Sequence, residues 1–412
     1  MINYKDRLFV FLQPELRSKS LGHYYNYIKG ISESLDRRDI QNVIIPEERF
    51  SDNLNHLNHI SFKTRSSYLS LERISKYNRI IAIWNIIIGN IYAPKEFTDV
   101  LNDVLKINKK SIIFIDTILN NRILGFAYAC NKFSKLYPDS KYIVVFRFSY
   151  QSNSKIYTFL QKKFHQFFCW RLKNLISENR LFVITDSELL KNAFDINFGK
   201  LTKTLPIPLR QHLFKFKSDL NKFQDHHSIG FIGGKNSYKG LDIYLRIISN
   251  LSIPSLRFFI HGITDIDDLL SFAKVNLCHR EFLELSTKID RISVTSFLSE
   301  EEYYNMYSNF NFIIIPYSSI QFREGTSTIF TESVSSGIIP FVPINTWMSH
   351  ELKRFELEEL AVDFADIEIV VRQINIVINN ISVTHKKIEK FIDSWKTYHS
   401  SEEFTNQLLS FF

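Results

Sequence analysis

Ser228–Leu251 reads SIGFIGGKNSYKGLDIYLRIISNL, and this stretch decides the fold. SIGFI is short, apolar and followed by glycines, which predicts a strand at Ile229 to Ile232. LDIYLRIISNL repeats its apolar residues at helical spacing, which predicts an amphipathic helix. Gly230, Gly233, Gly234 and Gly240 put four of the chain's twelve glycines within eleven residues. A strand, a glycine turn and a helix start bring backbone N–H groups close to a phosphate, and Lys235 and Lys239 add positive charge. The pattern is neither a P-loop nor a G-x-G-x-x-G fingerprint. Taken alone, a tight strand-to-helix turn with solvated lysines explains it equally well.

The same alternation of short β-rich runs and longer helical patterns continues in both directions, as in a parallel sheet with crossover helices. Strands are predicted at Leu8 to Leu12, Asn42 to Ile45, Arg79 to Trp84, Ser111 to Ile115, Tyr142 to Phe146, Leu181 to Ile184 and Thr204 to Pro206. A second set lies at Ile229 to Ile232, Leu256 to Ile260, Ile292 to Phe297, Phe312 to Ile315, Ile338 to Val342 and Ala361 to Phe364. Runs such as FIII and RIIAIW are apolar without alternation, as both covered faces of a doubly wound sheet require. The irregular segment Arg210 to Ser228 marks the junction, so the reading is two Rossmann-like domains, residues 1–210 and 211–384, facing across a cleft. Residues 385–412 read as two short helices that could pack on either domain.

At 412 residues, 45% hydrophobic and 23% charged, the chain is a folded protein of several domains rather than a disordered or fibrous one. Residues 1–210 hold 32 Lys+Arg against 18 Asp+Glu, and residues 211–412 hold 19 against 25. A basic half can attract nucleic acid, anionic lipid or a phosphorylated substrate, and charge alone does not choose among them. Three scattered cysteines, Cys130, Cys169 and Cys278, argue against a disulfide framework or a cysteine zinc site and imply a cytoplasmic setting. The apolar run near the N-terminus is too short for a secretory leader. Ile80 to Ile91 falls short of the ~20 residues that span a bilayer.

A second constellation is PYSSIQFREGTSTIFTESVSSG, Pro316 to Gly337. A strand ends in a polar loop, Thr326, Ser327 and Thr328 offer capping hydroxyls, and a helix closes at Gly337. Such a helix start points into the crevice at the strand ends, where open α/β sheets bind ligands. Glu324 and Glu332 bracket the turn with seven residues between them. Thr326 to Glu332 covers roughly 9 Å at the helical rise, the span from the sugar to the ribose of a nucleotide sugar. A carboxylate accepts two hydrogen bonds from a vicinal diol, so Glu332 suits a ribose and Glu324 a donor sugar. The helix start between them stabilises a diphosphate. Two surface glutamates flanking an ordinary helix start are the plainer reading.

FIGGKNSYKG, followed by a strand, proline, E-x7-E and a small-residue helix (EGTSTIFTESVSSGIIPFVP), resembles the GT-B glycosyltransferases of family 4. VTSFLSEEEYYNMYSNFNFIIIPYS, with a capping box at Ser299 and Glu302, resembles them too. The resemblance implies that Glu324 contacts the donor sugar and Glu332 the ribose, with Gly233, Gly234, Lys235 and Lys239 at the diphosphate and Phe297 and Leu298 beside the base. Two departures are Ser327, where the family usually has glycine, and Gly234, where it commonly has arginine. In the first half, Gly22 and His23 stand where similar enzymes place a glycine-containing loop, although His23 also reads as an ordinary helix-start residue. Asp116 and Arg147 occupy strand ends where retaining members often carry a catalytic histidine.

Lys155 to Ile176, KIYTFLQKKFHQFFCWRLKNLI, is basic and rich in aromatics at helical spacing. Such a helix could lie on an anionic membrane, or bury one face as a crossover helix. His56 with His59, His226 with His227, and the Asp265, Asp267 and Asp268 cluster read as inert, the last as an acidic helix start. The combined expectation is a retaining glycosyltransferase that moves a sugar from a nucleotide-diphosphate donor to a glycan or lipid-linked acceptor in surface polysaccharide assembly. It would use no cofactor and no metal, since lysines and backbone dipoles meet the diphosphate charge. It would bind no nucleic acid and work in the cytoplasm or on the inner face of the membrane. A sugar-nucleotide epimerase or hydrolase, and a non-catalytic GT-B binding protein, are the alternatives.

Overall fold

The computed structural model describes residues 4–14, 23–47, 60–62, 78–147, 155–198, 202–210, 227–296 and 298–412. They divide into two compact units, Met1–Arg210 with Ser400–Phe412, and Gln211–His399.

In the first unit, apolar segments with no alternation become strands covered on both sides: β1 (Phe9–Gln13), β2 (Asn42–Pro46), β3 (Ile112–Ile115), β4 (Lys141–Phe146), β5 (Leu181–Thr185) and β6 (Thr202–Thr204). They pair in parallel in the order β2-β1-β3-β4-β5-β6. One face packs on α1 (His23–Asp36) and on α14 (Ser401–Leu409). The other packs on α2 (Asn78–Ile107), α3 (Ile123–Leu136), α4 (Lys155–Ser177) and α5 (Glu188–Phe198). The C-terminal helix is fastened to α1 by Glu402, which accepts from Ser34 Oγ at 2.9 Å and pairs with Arg37 and Arg38. The division thus falls after His399, within what reads from the sequence as a single tail. Its longer helix, α13 (Ile381–Tyr398), packs in the second unit on α10 (Thr328–Ser335).

One strand prediction fails. Arg79 to Trp84 lies inside the 30-residue α2. An unbroken apolar run carries no period, and no glycine or proline interrupts the chain between Arg79 and Ile88 to end an element there.

The second unit repeats the plan with β7 (Ser228–Ile232), β8 (Arg257–His261), β9 (Ile292–Thr295), β10 (Phe312–Ile314), β11 (Ile339–Pro343) and β12 (Ala361–Val362). The order is β12-β11-β10-β7-β8-β9, all parallel. Succession runs one way from β7 and the other way from β10, so the switch point lies between these two strands. The remaining helices are α6 (Leu241–Asn250), α7 (Ile266–Asn276), α8 (His279–Ser286), α9 (Glu300–Tyr307), α11 (Trp347–Arg354) and α12 (Ile367–Asn379). Local signals hold at several ends. Ser299 and Glu302 form a reciprocal capping box. Asp265 caps α7 by accepting from the Asp268 N–H. Gly337, at φ 75°, closes α10 while Ile338 N–H donates to Ser333 O and Gly337 N–H to Val334 O.

Candidate nucleotide-binding site

Adjacent strands place their C-terminal loops side by side, and the loops after β7 and β10 are joined at several points. Tyr317 Oη donates to Ile232 O at 2.8 Å, and Ser318 N–H to Tyr238 O at 2.9 Å. Gly240 sits at φ 72°, and a Cβ there would stand 2.4 Å from Pro316 O, so only glycine lets the loops meet. Gly234, at φ 59°, packs backbone to backbone on Gly262, the residue after β8. An arginine at this position would strain the turn. The N–H groups of Gly233 and Gly234 both point at His261 O. The glycines therefore fasten the turn to β8 instead of presenting those donors to a ligand, which corrects the reading from sequence.

Lys239 Nζ lies over Tyr317, 3.7 Å from the ring centroid, with Phe322 and Tyr238 at 5.2 and 5.3 Å. Such a cage holds a cation by the ring quadrupoles. Lys235 pairs with Asp268, and that hydrogen bond holds the Asp268 carboxyl below its usual range. Ser327 is the N-cap of α10, its Oγ accepting from Phe330 N–H at 3.3 Å. Glu324 and Thr326 stand half-buried in the loop before α10, with Thr328 at its first turn. Leu298 is half-buried ahead of α9; Phe297, Gly22, His56, His59 and His226 lie outside the described residues, as does the His23 side chain.

Glu332 differs most from the sequence reading. It is buried on α10, and three tyrosines of α9 donate to it: Tyr307 at 2.9 Å, Tyr303 at 3.1 Å and Tyr304 at 3.4 Å. Burial pushes its pKa up to about 7 against the pull of those three donors. A carboxylate has about four acceptor positions, so one remains. Glu332 can take a single hydroxyl, not both arms of a diol, unless a tyrosine gives way. Burial raises Tyr317 as well, with Tyr238 and Glu332 adding to the effect, so the ring under Lys239 and the acid share one electrostatic neighbourhood.

At the strand ends of the first unit, Arg147 donates to Asp116 Oδ1 at 2.5 Å, to Asp116 O at 3.2 Å and to Asp186 Oδ2 at 3.0 Å, with its guanidinium 4.9 Å from the Tyr27 ring. All three charged residues are buried. Burial alone would lower the Arg147 pKa, but the two carboxylates outweigh it and hold the cation firmly charged. Asp186 escaped the sequence reading, although it follows LFVIT as Asp116 follows SIIFI. The structure thus joins Asp116 and Arg147, each engaged by the other. Among the described residues no three His, Cys, Asp or Glu come close enough to hold a metal, and no helix is long and apolar enough to cross a membrane.

No protein-family model and no curated protein matches this sequence. Solved structures do. A sucrose-phosphate synthase from Thermosynechococcus elongatus matches over 98% of both chains at 13% identity and a TM-score of 0.69. A glycosyltransferase from Rickettsia africae matches over 99% of this chain and 98% of that one, at 12% and 0.65. The chain has the GT-B fold. The Anabaena protein HepE, solved with UDP and glucose, shares the fold over 98% of both chains at 12% identity and a TM-score of 0.56.

Proposed function

We propose that this chain is a glycosyltransferase of the hexosyl type that moves a sugar from a nucleotide-diphosphate donor to a glycan or lipid-linked acceptor at the inner face of a membrane, in surface polysaccharide assembly. One observation carries the reading: at the switch point between β7 and β10, the caged Lys239 and the start of α10 with Glu324 belong to loops bonded to each other. Similar structures titled as glycosyltransferase or sucrose-phosphate synthase, and one solved with UDP and glucose, support it.

In this reading Lys239 and the α10 N-terminus take the diphosphate, and Lys235 joins them by exchanging Asp268 for phosphate. They stabilise the charge that develops as the bond from the anomeric carbon to the diphosphate oxygen breaks, without a divalent cation. Glu324 orients the donor sugar, Glu332 accepts from one ribose hydroxyl, and Leu298 with Phe297 borders the base. Gly22 and His23 lie against the donor phosphates and the acceptor, His23, Asp116 and Arg147 are the candidates for the first unit's catalytic group, and transfer proceeds with retention. The test is incubation with UDP-, GDP- and ADP-sugars plus membrane lipid extract. A glycosylated acceptor is expected, and Glu324→Gln should slow its formation by about 100-fold or more while nucleotide affinity changes little. Free or isomerised sugar as the only product would contradict the proposal.

A further inference from the structure

Crossover helices normally bury one apolar stripe and show water a polar one. Helices α2, α3 and α4 do not. Their inner faces, with Phe97, Phe126 and Phe168, form one core on the sheet. Asn90 ties α2 to the start of α3 by donating to Asn120 O at 2.8 Å and accepting from Leu124 N–H at 2.9 Å. Phe126 stacks on Phe168 to join α3 to α4. The three helices are therefore one layer, and its outer surface carries large apolar side chains as well. Trp84, Ile88 and Ile91 on α2 and Phe159, Phe167 and Trp170 on α4 are exposed, with Trp84 and Trp170 at 57% and 60%. Among the described residues, twelve of the twenty large exposed hydrophobic side chains lie on these three helices. The α4 sequence therefore supplies both a crossover stripe and an aromatic outer face.

The charge on this layer selects its occupant. Across α3 and α4 there are seven Lys or Arg and no Asp or Glu, with Lys132, Lys135, Lys163, Arg171 and Lys173 exposed. A second copy docked on the same face would set the lysines and arginines of α3 and α4 against their own copies, with only Asp99 and Asp103 of α2 exposed on the layer to offset them. Aromatic and branched side chains set among lysines match the boundary between anionic headgroups and acyl chains. We infer that the outer face of α2, α3 and α4 is the surface by which this protein docks on an anionic lipid bilayer. The inference rests on the lipid-linked acceptor of the proposed function, and it gives that acceptor a route, since the Asn90 bonds place the apolar half of α2 at the C-terminal edge of the sheet.

Tryptophan emission tests this in the full chain, because Trp347 and Trp395 are buried and Trp84 and Trp170 are not. Vesicles of phosphatidylcholine with phosphatidylglycerol should shift the emission to the blue, brominated acyl chains should quench it, and phosphatidylcholine alone should do neither. Trp170→Ser with Phe159→Ser should reduce the vesicle-bound fraction about tenfold, and Lys163→Glu with Arg171→Glu should abolish the preference for anionic lipid. No binding to the anionic vesicles, binding unchanged in these variants, or a dimer that the serine variant dissociates would each overturn the inference. Nucleotide affinity, measured without vesicles, reports separately on the function it rests on.

Discussion

Asp116, Arg147 and Asp186 finish the strand ends of the first sheet with one buried cation held between two buried carboxylates. The strand ends of the second sheet at β7 and β10 are finished with glycines, a lysine held by aromatic rings and the start of a helix. A cluster whose one cation is claimed by two carboxylates has no positive charge to offer an anion, whereas a lysine over ring faces beside a helix start gathers positive charge and backbone dipole in one place. On the proposed function, the first cluster serves mainly stability and the second is the anion site.

The largest effect should come from Arg147→Ala, which strands two buried carboxylates and should cost about 3–5 kcal/mol of unfolding free energy by denaturant titration. If the cluster is structural, nucleotide affinity of the folded variant stays within a few-fold; a stable variant that has lost only activity would move the cluster to the catalytic side. Next comes Glu332. Its folded pKa of about 7 lies above the ordinary 4.5, so between these values the folded state keeps a proton that the unfolded state has released. Stability therefore falls as pH rises through that window, by up to about 3 kcal/mol. Glu332→Gln cannot ionise, so its melting temperature relative to wild type should rise from pH 5 to pH 8; a constant difference would mean the carboxylate is not held as described. Ser327→Ala, which removes the α10 cap, should cost only about 1 kcal/mol in the same unfolding titration.

Most strands were legible because covered parallel strands are short apolar runs with glycine or polar punctuation, as SIGFI and KYIVVF are. Arg79 to Trp84 misled because α2 is apolar on its inner and outer faces alike, which erases the helical period. At the site, Gly240 and the Ser327 cap follow from local chemistry, so the sequence carries them. Tyr303, Tyr304 and Tyr307 are conspicuous at helical spacing, but only the packing of α9 against α10 turns them toward Glu332. The pairing of Arg147 with two aspartates likewise depends on three strand ends meeting, which no single segment encodes.

The central claim is that the crevice between β7 and β10 takes a nucleoside diphosphate with Lys239 at its charge. Calorimetric titration of UDP, GDP and ADP into the wild-type chain, Lys239→Ala and the exposed-surface control Lys274→Ala tests it most directly. The account predicts saturable binding of at least one of them, weakened about tenfold or more by Lys239→Ala and unaffected by Lys274→Ala. Binding of none, or equal affinity in the Lys239 variant, would contradict it.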